Sequence, residues 1–455
     1  MSTTSSPMRR ARRGRGLLRH PSQIVAVGFA ATILLGTLLL MLPVARAEPG
    51  HAPFLTALFT ATSAVCVTGL VVVDTPTYWS TFGEITILGL IQVGGIGIMT
   101  LASMLALVVF RRLGLRFRLT AAVEHASSGL GDVRSVIMGV VGISLAIELI
   151  TAIPLTLRFW LGYDSTLQRA AYDGIFHSIS AFNNAGFALR SDNLMGFVDD
   201  PWICLPIAVA VIAGGLGFPV WLELLQRTKM RMWSLHTKMT VSGTVGLLII
   251  GSLFFTAVEW NNPDTLGALS TPGKLLAGFF QSTMTRTAGF NSLDYEQMHE
   301  GTLLGADVLM LIGGGSAGTA GGLKITTFML LFFVIVAEVR GQREVEAFDR
   351  RIDPRAIRQA LTVALLSVGF VVSGTIALLH LVDAPTHRVL FEAVSAFATV
   401  GLSANLTYDV PAGGQIVLIA MMFVGRIGPI TLVSALALRD RERLHRFPEG
   451  RPLIG

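Results

Sequence analysis

Four short stretches of this 455-residue chain carry backbone chemistry rather than side-chain chemistry: Val67-Thr68-Gly69, Asn184-Ala185-Gly186, Thr287-Ala288-Gly289 and Thr399-Val400-Gly401. Each ends two small or polar residues with a glycine. Glycine accepts positive φ and lets a second backbone approach closely. Several such extended loops, converging, can replace the water shell of a cation with carbonyl oxygens. The four stretches hold no carboxylate, so any selectivity is expected from carbonyl dipoles. They are not identical, and a ring built by one chain need not be symmetric. Their glycines stand 117, 103 and 112 residues apart. A second marker follows each, 24 to 28 residues later: Gly94-Gly95-Ile96-Gly97, Gly214-Gly215-Leu216-Gly217, Gly313-Gly314-Gly315 and Gly425-Arg426-Ile427-Gly428. Two markers recurring in register four times define an internal repeat.

The third copy of the second marker is enlarged. Gly313, Gly314, Gly315, Gly318, Gly321 and Gly322 fall within ten residues, with Ser316 among them and Lys324 just beyond. Each glycine disfavours a helix interior by about 1 kcal/mol against alanine, so the helix is expected to break here. A phosphate-binding loop is excluded: Leu323 separates Gly322 from Lys324, and Ile325 follows where that motif needs Ser or Thr. A flexible loop just inside the four-loop ring fits better. Arg426 occupies the equivalent place in the fourth unit. Insertion of arginine mid-span costs about 2.5–3.5 kcal/mol, so it should face a cavity or a partner, beside 313–322. Arg286, in the third loop, is expected to bond a backbone carbonyl or a carboxylate behind the ring rather than face ions. Asp74, Glu84, Glu148, Asp307 and Glu392 are read as lying at or near span ends, most of them solvated or bonded to nearby loops.

The elements that must position these residues are set by composition. Apolar residues make up 52% of the chain, charged residues 14%, and mean hydropathy is +0.64. Runs such as Ile24–Leu42, Ile85–Phe110 and Val136–Leu157 are long enough to cross a bilayer core, which takes roughly 20 helical residues. An ordinary soluble enzyme, a disordered chain and a disulfide scaffold are excluded, the last because only Cys66 and Cys204 are present. Each unit reads as an outgoing helix, a segment too short to cross, the glycine stretch, and a returning helix. The outgoing helices are expected over Gln23–Leu42, Ser135–Trp160, Met239–Trp260 and Ile357–Leu381. The returning ones are expected over Gly83–Phe110, Pro201–Leu225, Thr302–Glu338 and Gly414–Leu438, only the third being broken. Non-helical backbone at membrane depth survives only in a protein interior or around a water-filled cavity.

The fold class is therefore an all-α polytopic membrane protein: eight transmembrane helices and four re-entrant pore loops around one pore. Repeats are assigned to 21–120, 121–235, 236–345 and 346–440, with basic tails at 1–20 and 441–455. Five segments hold 26 of the 35 Lys and Arg. By the positive-inside rule these face the cytoplasm, as do both termini. The net charge of +6 thus reports topology and attraction to lipid headgroups, not nucleic acid. His177, His236 and His380 show no metal-ligand spacing. No Ser/His/Asp set can be placed at one aqueous face, so no enzyme and no cofactor are expected.

The glycine stretches, the fourfold unit, Arg286-Thr287-Ala288-Gly289-Phe290 and the run from Gly313 to Lys324 resemble the Trk/Ktr/HKT superfamily of potassium transporters, over roughly residues 20–440. With four units and no extra N-terminal helix pair, the chain is most similar to the Ktr-type membrane subunit, with the longer, proton-linked Trk type second. The resemblance implies potassium uptake through a filter of four pore loops in the plasma membrane, with sodium as a coupling ion left open. It also implies an intramembrane gating loop with Arg426 projecting beside it, a homodimer with one pore per subunit, and a cytoplasmic ring of nucleotide-binding regulatory subunits. Some plant relatives carry serine at the first filter glycine and prefer sodium; Gly69 resembles the potassium-selecting pattern. A sodium/potassium transporter of the same fold is the alternative within the family. Outside it, the alternative is an alternating-access carrier for a small solute, which would favour broken helices in paired, inverted positions.

Overall fold

A computed structural model describes residues 21–112, 133–226 and 229–428. The N-terminal tail, most of the basic link at 111–134, the stretch 429–438 and the C-terminal tail lie outside the described residues.

The first unit is α1 (Pro21–Leu40), α2 (Phe54–Val65) and α3 (Thr81–Arg112); the second is α4 (Val133–Gly162), α5 (Leu167–Phe182), α6 (Pro201–Leu216) and α7 (Phe218–Gln226). The third holds α8 (Leu235–Glu259), α9 (Thr271–Met284), α10 (Glu300–Leu311) and α11 (Ile325–Val339); the fourth holds α12 (Pro354–Leu379), α13 (Thr386–Ala398) and α14 (Ala412–Ile427). The described strand content is a two-residue pair, Glu346–Ala347 with Arg350–Arg351, between the third and fourth units. Among the described residues three helices are long and apolar enough to cross a bilayer alone, Val136–Gly162, Leu235–Glu259 and Pro354–Leu379, and α6 with α7 makes a fourth if that bent pair is one span. Of the remaining expected crossings, α1 and α3 are continuous helices of 20 and 32 residues, and those that return in the third and fourth units are shorter or interrupted.

Local chemistry starts these helices where they start. Thr166, Ser234 and Ser270 accept backbone N–H bonds with their hydroxyls at the heads of α5, α8 and α9, and Asp200 and Asp353 do so with their carboxylates at α6 and α12. Pro201 and Pro354 occupy the first helical position, where the missing N–H would be unpaired anyway.

The four short helices α2, α5, α9 and α13 form the centre. Phe391 through Ala398 are all buried, as are Phe59 through Val65. The long helices surround them and leave apolar side chains on the outside, for example Leu34, Leu38, Leu149, Ile150 and Leu365. Such a surface suits lipid rather than water.

Two expectations need correction. The second returning helix is not continuous over Pro201–Leu225: it breaks at Gly217, and α6 and α7 meet at 98°. The fourth, expected to be continuous to Leu438, is interrupted after Ile427 by Gly428 at φ +90°, and 429–438 lie outside the described residues. Helix breakage is therefore not confined to the third unit.

Candidate functional site

Each central helix runs directly into one of the glycine stretches, so its C-terminal, partially negative end faces them. The first residue of each stretch has positive φ: Val67 56°, Asn184 60°, Thr287 68° and Thr399 52°. So does each glycine: Gly69 95°, Gly186 70°, Gly289 77° and Gly401 93°. The residue between them does not. Alternation of hand along three residues swings successive carbonyls toward one side of the chain. The amides are tied back to the helix behind. Thr68 N donates to Ser63 O at 2.8 Å, Ala185 N to Ser180 O at 2.8 Å, Ala288 N to Met284 O at 3.1 Å and Val400 N to Ser395 O at 2.8 Å.

The four stretches meet in a closed ring. A Cβ on Gly69 would collide with the Ala185 carbonyl, one on Gly186 with that of Ala288, one on Gly289 with that of Val400, and one on Gly401 with that of Thr68. Each unit touches the next in chain order, and the fourth returns to the first. Positive φ and this contact both demand glycine. Thr68, Thr287 and Thr399 add buried hydroxyls with no protein partner. Converging carbonyls and free hydroxyls are the ligand set of a dehydrated alkali cation.

One contribution was not anticipated. Six residues before three of the glycines stands a serine: Ser63 Oγ accepts from Gly69 N and Ser395 Oγ from Gly401 N, both at 3.0 Å, while Ser180 Oγ donates to Phe187 O at 2.8 Å. The fixed spacing to the glycine was the available signal.

The glycine-rich run 313–322 is non-helical and lies against the ring's inner residues. Leu323 N donates to Leu311 O and Gly313 N to Leu323 O, at 3.1 and 2.8 Å, closing the loop at its neck. Gly321 packs on the Thr399 hydroxyl and the Ala398 carbonyl, leaving no room for a side chain. The Thr319 hydroxyl donates to Phe182 O at 3.1 Å and sits 3.0 Å from the Asn184 side-chain amide. Gly314 and Gly318 abut Gly215 O, and Gly315 abuts Leu216 O. Lys324 Nζ donates to Ala320 O at 2.6 Å.

Both arginines hold this loop. Arg426 is 5% exposed; it donates through Nη1 to Thr319 O and through Nη2 to Gly94 O at 3.3 Å. Arg286 donates to Thr244 O at 3.2 Å and to Gly313 O at 3.4 Å. Its partners are therefore backbone carbonyls, one of them in the glycine-rich loop itself. A guanidinium stays charged at any physiological pH, and that of Arg426 ties the loop at Thr319 O to α3 at Gly94 O.

Of the carboxylates expected near span ends, Glu84 in the first turn of α3 and Glu392, which accepts from the loop hydroxyls of Ser403 and Thr407, fit that reading, whereas Glu148 does not. Glu148 lies inside α4 and accepts from Gln92 Nε2 at 2.9 and 3.0 Å and from Asn183 at 3.3 Å, bracing the second stretch from behind. Glu84 accepts from the Tyr172 hydroxyl at 2.6 Å, and Glu392 from Thr407 at 2.7 Å. All four carboxylates, Asp307 included, are buried rather than solvated.

The chain is similar over nearly its whole length to known transport proteins. The chain is 41% identical over 437 residues to the Ktr system potassium uptake protein B of Bacillus subtilis, covering 96% of this chain and 97% of that one. It is 38% identical to the protein of the same name from Vibrio alginolyticus, over 95% and 94% of the two chains. Against the potassium/sodium uptake protein NtpJ of Enterococcus hirae identity is 34%, over 96% and 97%. The crystal structure of the potassium transporter TrkH from Vibrio parahaemolyticus superposes with a TM-score of 0.73 at 18% identity, covering 94% of this chain and 87% of that one, which establishes a shared fold. The family model described as TrkH, cation transport protein, matches residues 3–442. The chain belongs to the TrkH family of cation transport proteins.

Proposed function

We propose that this protein takes up potassium across the plasma membrane through a filter formed by the four glycine stretches of one chain. The observation that carries the reading is the closed ring, in which Gly69, Gly186, Gly289 and Gly401 each rest on the next unit's carbonyl. Such a ring, without side-chain charge, suits a spherical monovalent cation. The full-length relatives named for potassium uptake support the choice of ion. One relative is named for both potassium and sodium, and this favours sodium as the second ion to test, as a competitor or a coupling ion. Uptake needs no ATP site in the chain. A cation descending 100 mV gains about 2.3 kcal/mol, which at about 1.4 kcal/mol per decade supports roughly 50-fold accumulation.

In this reading 313–322 is the gate and Arg426 its latch, with both termini and the basic links on the cytoplasmic side. The working unit is a homodimer in the lipid bilayer, docked on a soluble nucleotide-binding ring. The activity is transport rather than catalysis. The test is rubidium and sodium uptake by purified protein in liposomes, with and without the candidate ring subunit. Rubidium flux that potassium suppresses far better than sodium is expected. Equal suppression by the two ions, or no flux under any condition, would overturn the assignment.

A further inference from the structure

The break between α6 and α7 is used by the glycine-rich loop. A helix end leaves its last four carbonyls without intrahelical partners, and buried backbone groups must be paired somewhere. At the end of α6 these are the carbonyls of Ala213, Gly214, Gly215 and Leu216. Ala213 O accepts from Trp221 Nε1 at 2.8 Å. Gly214 O accepts from Thr319 N at 3.1 Å, and Gly215 O from Gly315 N at 2.7 Å. Phe218 N, the first amide beyond the break, donates to Ala317 O at 3.3 Å. In an unbroken helix Phe218 N would donate to Gly214 O. The break exchanges that internal bond for two bonds to the loop, and Gly215 O adds a third.

Two residues keep the break open. Gly217 has φ +90° and ψ 150°, a conformation that L side chains rarely adopt. Pro219 stands four residues after Gly215. In a continuous helix it would offer Gly215 O no N–H, and its ring would strike that carbonyl. The first unit supplies the contrast. It has the same glycine pattern, Gly94-Gly95-Ile96-Gly97, but Met99 where the second has Pro219, and α3 runs unbroken from Thr81 to Arg112.

We infer that Gly217 and Pro219 are positioning residues for the glycine-rich loop: they hold α6 and α7 apart so that the carbonyls of Gly214 and Gly215 and the amide of Phe218 serve as its dock. The inference rests on the reading of 313–322 as a gate. Replacing Pro219 by alanine removes the clash and supplies the missing amide. The helix can then reclaim both carbonyls and release the loop.

The experiment uses the full chain in liposomes, with rubidium as the permeant ion. Pro219→Ala is expected to raise flux about tenfold, the shift that one or two net hydrogen bonds produce, with the potassium-to-sodium preference unchanged. Spin labels at Val209 and Leu225, both outward-facing, should move apart as the bend relaxes. In a chain with 313–322 shortened, Pro219→Ala should add nothing, because the loop it would release is already gone. If Pro219→Ala does not fold, Pro219→Gly restores the amide with less helix propensity and carries the same test at smaller amplitude. Parent-like flux with an unchanged label distance, or an equal increase in the shortened chain, would overturn the inference. If shortening the loop and Arg426→Ala raise flux while Pro219→Ala does not, only the dock falls. If neither raises flux, the gate reading fails and takes the dock with it.

Discussion

The ring and the layer beneath it are built from the same four repeats, yet they obey opposite rules. At the ring all four units adopt the same backbone: positive φ, ordinary φ, then glycine with positive φ. One layer inward the units part company. α3 continues through its glycines, α6 bends into α7, the third unit opens into a loop, and α14 stops at Gly428. A ring around a spherical ion needs equivalent contributors, because any odd member leaves a gap. If 313–322 is the gate, as proposed, closing a narrow path needs a single plug, and its neighbours must differ to hold it. The residues just before the ring follow the second rule: Cys66, Asn183, Arg286 and Ala398 share a position and little chemistry.

Breaking the ring should give the largest effect. Gly401→Ala puts a methyl into the Thr68 carbonyl on a backbone at φ +93°, and rubidium flux is expected to fall about a hundredfold or folded protein to be lost, strain of this kind being worth roughly 1–3 kcal/mol before the clash is counted. Parent-like uptake would show that the ring does not line the path. Next comes ion choice. Gly69→Ser displaces the Ala185 carbonyl and loosens one side of the ring. The potassium-to-sodium preference should drop by about tenfold, a change near 1.4 kcal/mol, as read by competition against rubidium uptake.

The inner layer is sharpened by smaller effects of opposite sign. Arg426→Ala removes the bonds to Thr319 O and Gly94 O. Flux should rise about fivefold with ion preference kept, since charge-assisted hydrogen bonds contribute about 1.5–3 kcal/mol and part is recovered by water. Flux that stays at the parent level, with regulation by a partner intact, would make the arginine a purely structural brace. Arg286→Met should do less, about twofold, because its bond to the loop is long at 3.4 Å. A larger increase than that of Arg426→Ala would reverse their assigned ranks.

The sequence showed the ring's positions well because its requirement is local: two small residues and a glycine, repeated at a near-constant interval. The break at 313–322 was equally visible, since six glycines in ten residues overwhelm any helix. The bend at Gly217 was hidden. Pro201–Leu225 is apolar apart from Glu223, and hydropathy does not register one residue of inverted φ. The cue was the proline two places on. Pro429 directly follows Gly428 in the fourth unit and no proline follows Gly97 in the first, so, outside the third unit, whose glycines alone break its helix, the prolines sort the broken helices from the unbroken one. Arg286 was expected to bond a backbone carbonyl and bonds two, but the second lies 27 residues on, a distance no local pattern encodes. Glu148 was misjudged because its partners, Gln92 in α3 and Asn183 just beyond α5, come from other elements.

The order of contact around the ring has an evolutionary consequence. Because each glycine rests against the following unit's carbonyl, and the last against the first, no quarter of the pore can drift by itself. A side chain gained at one position is felt by the neighbour's backbone, which cannot be mutated away. Fusing four quarters into one gene frees each to specialise everywhere except along this seam. There, a change in any one quarter is tested against its neighbour before it can spread.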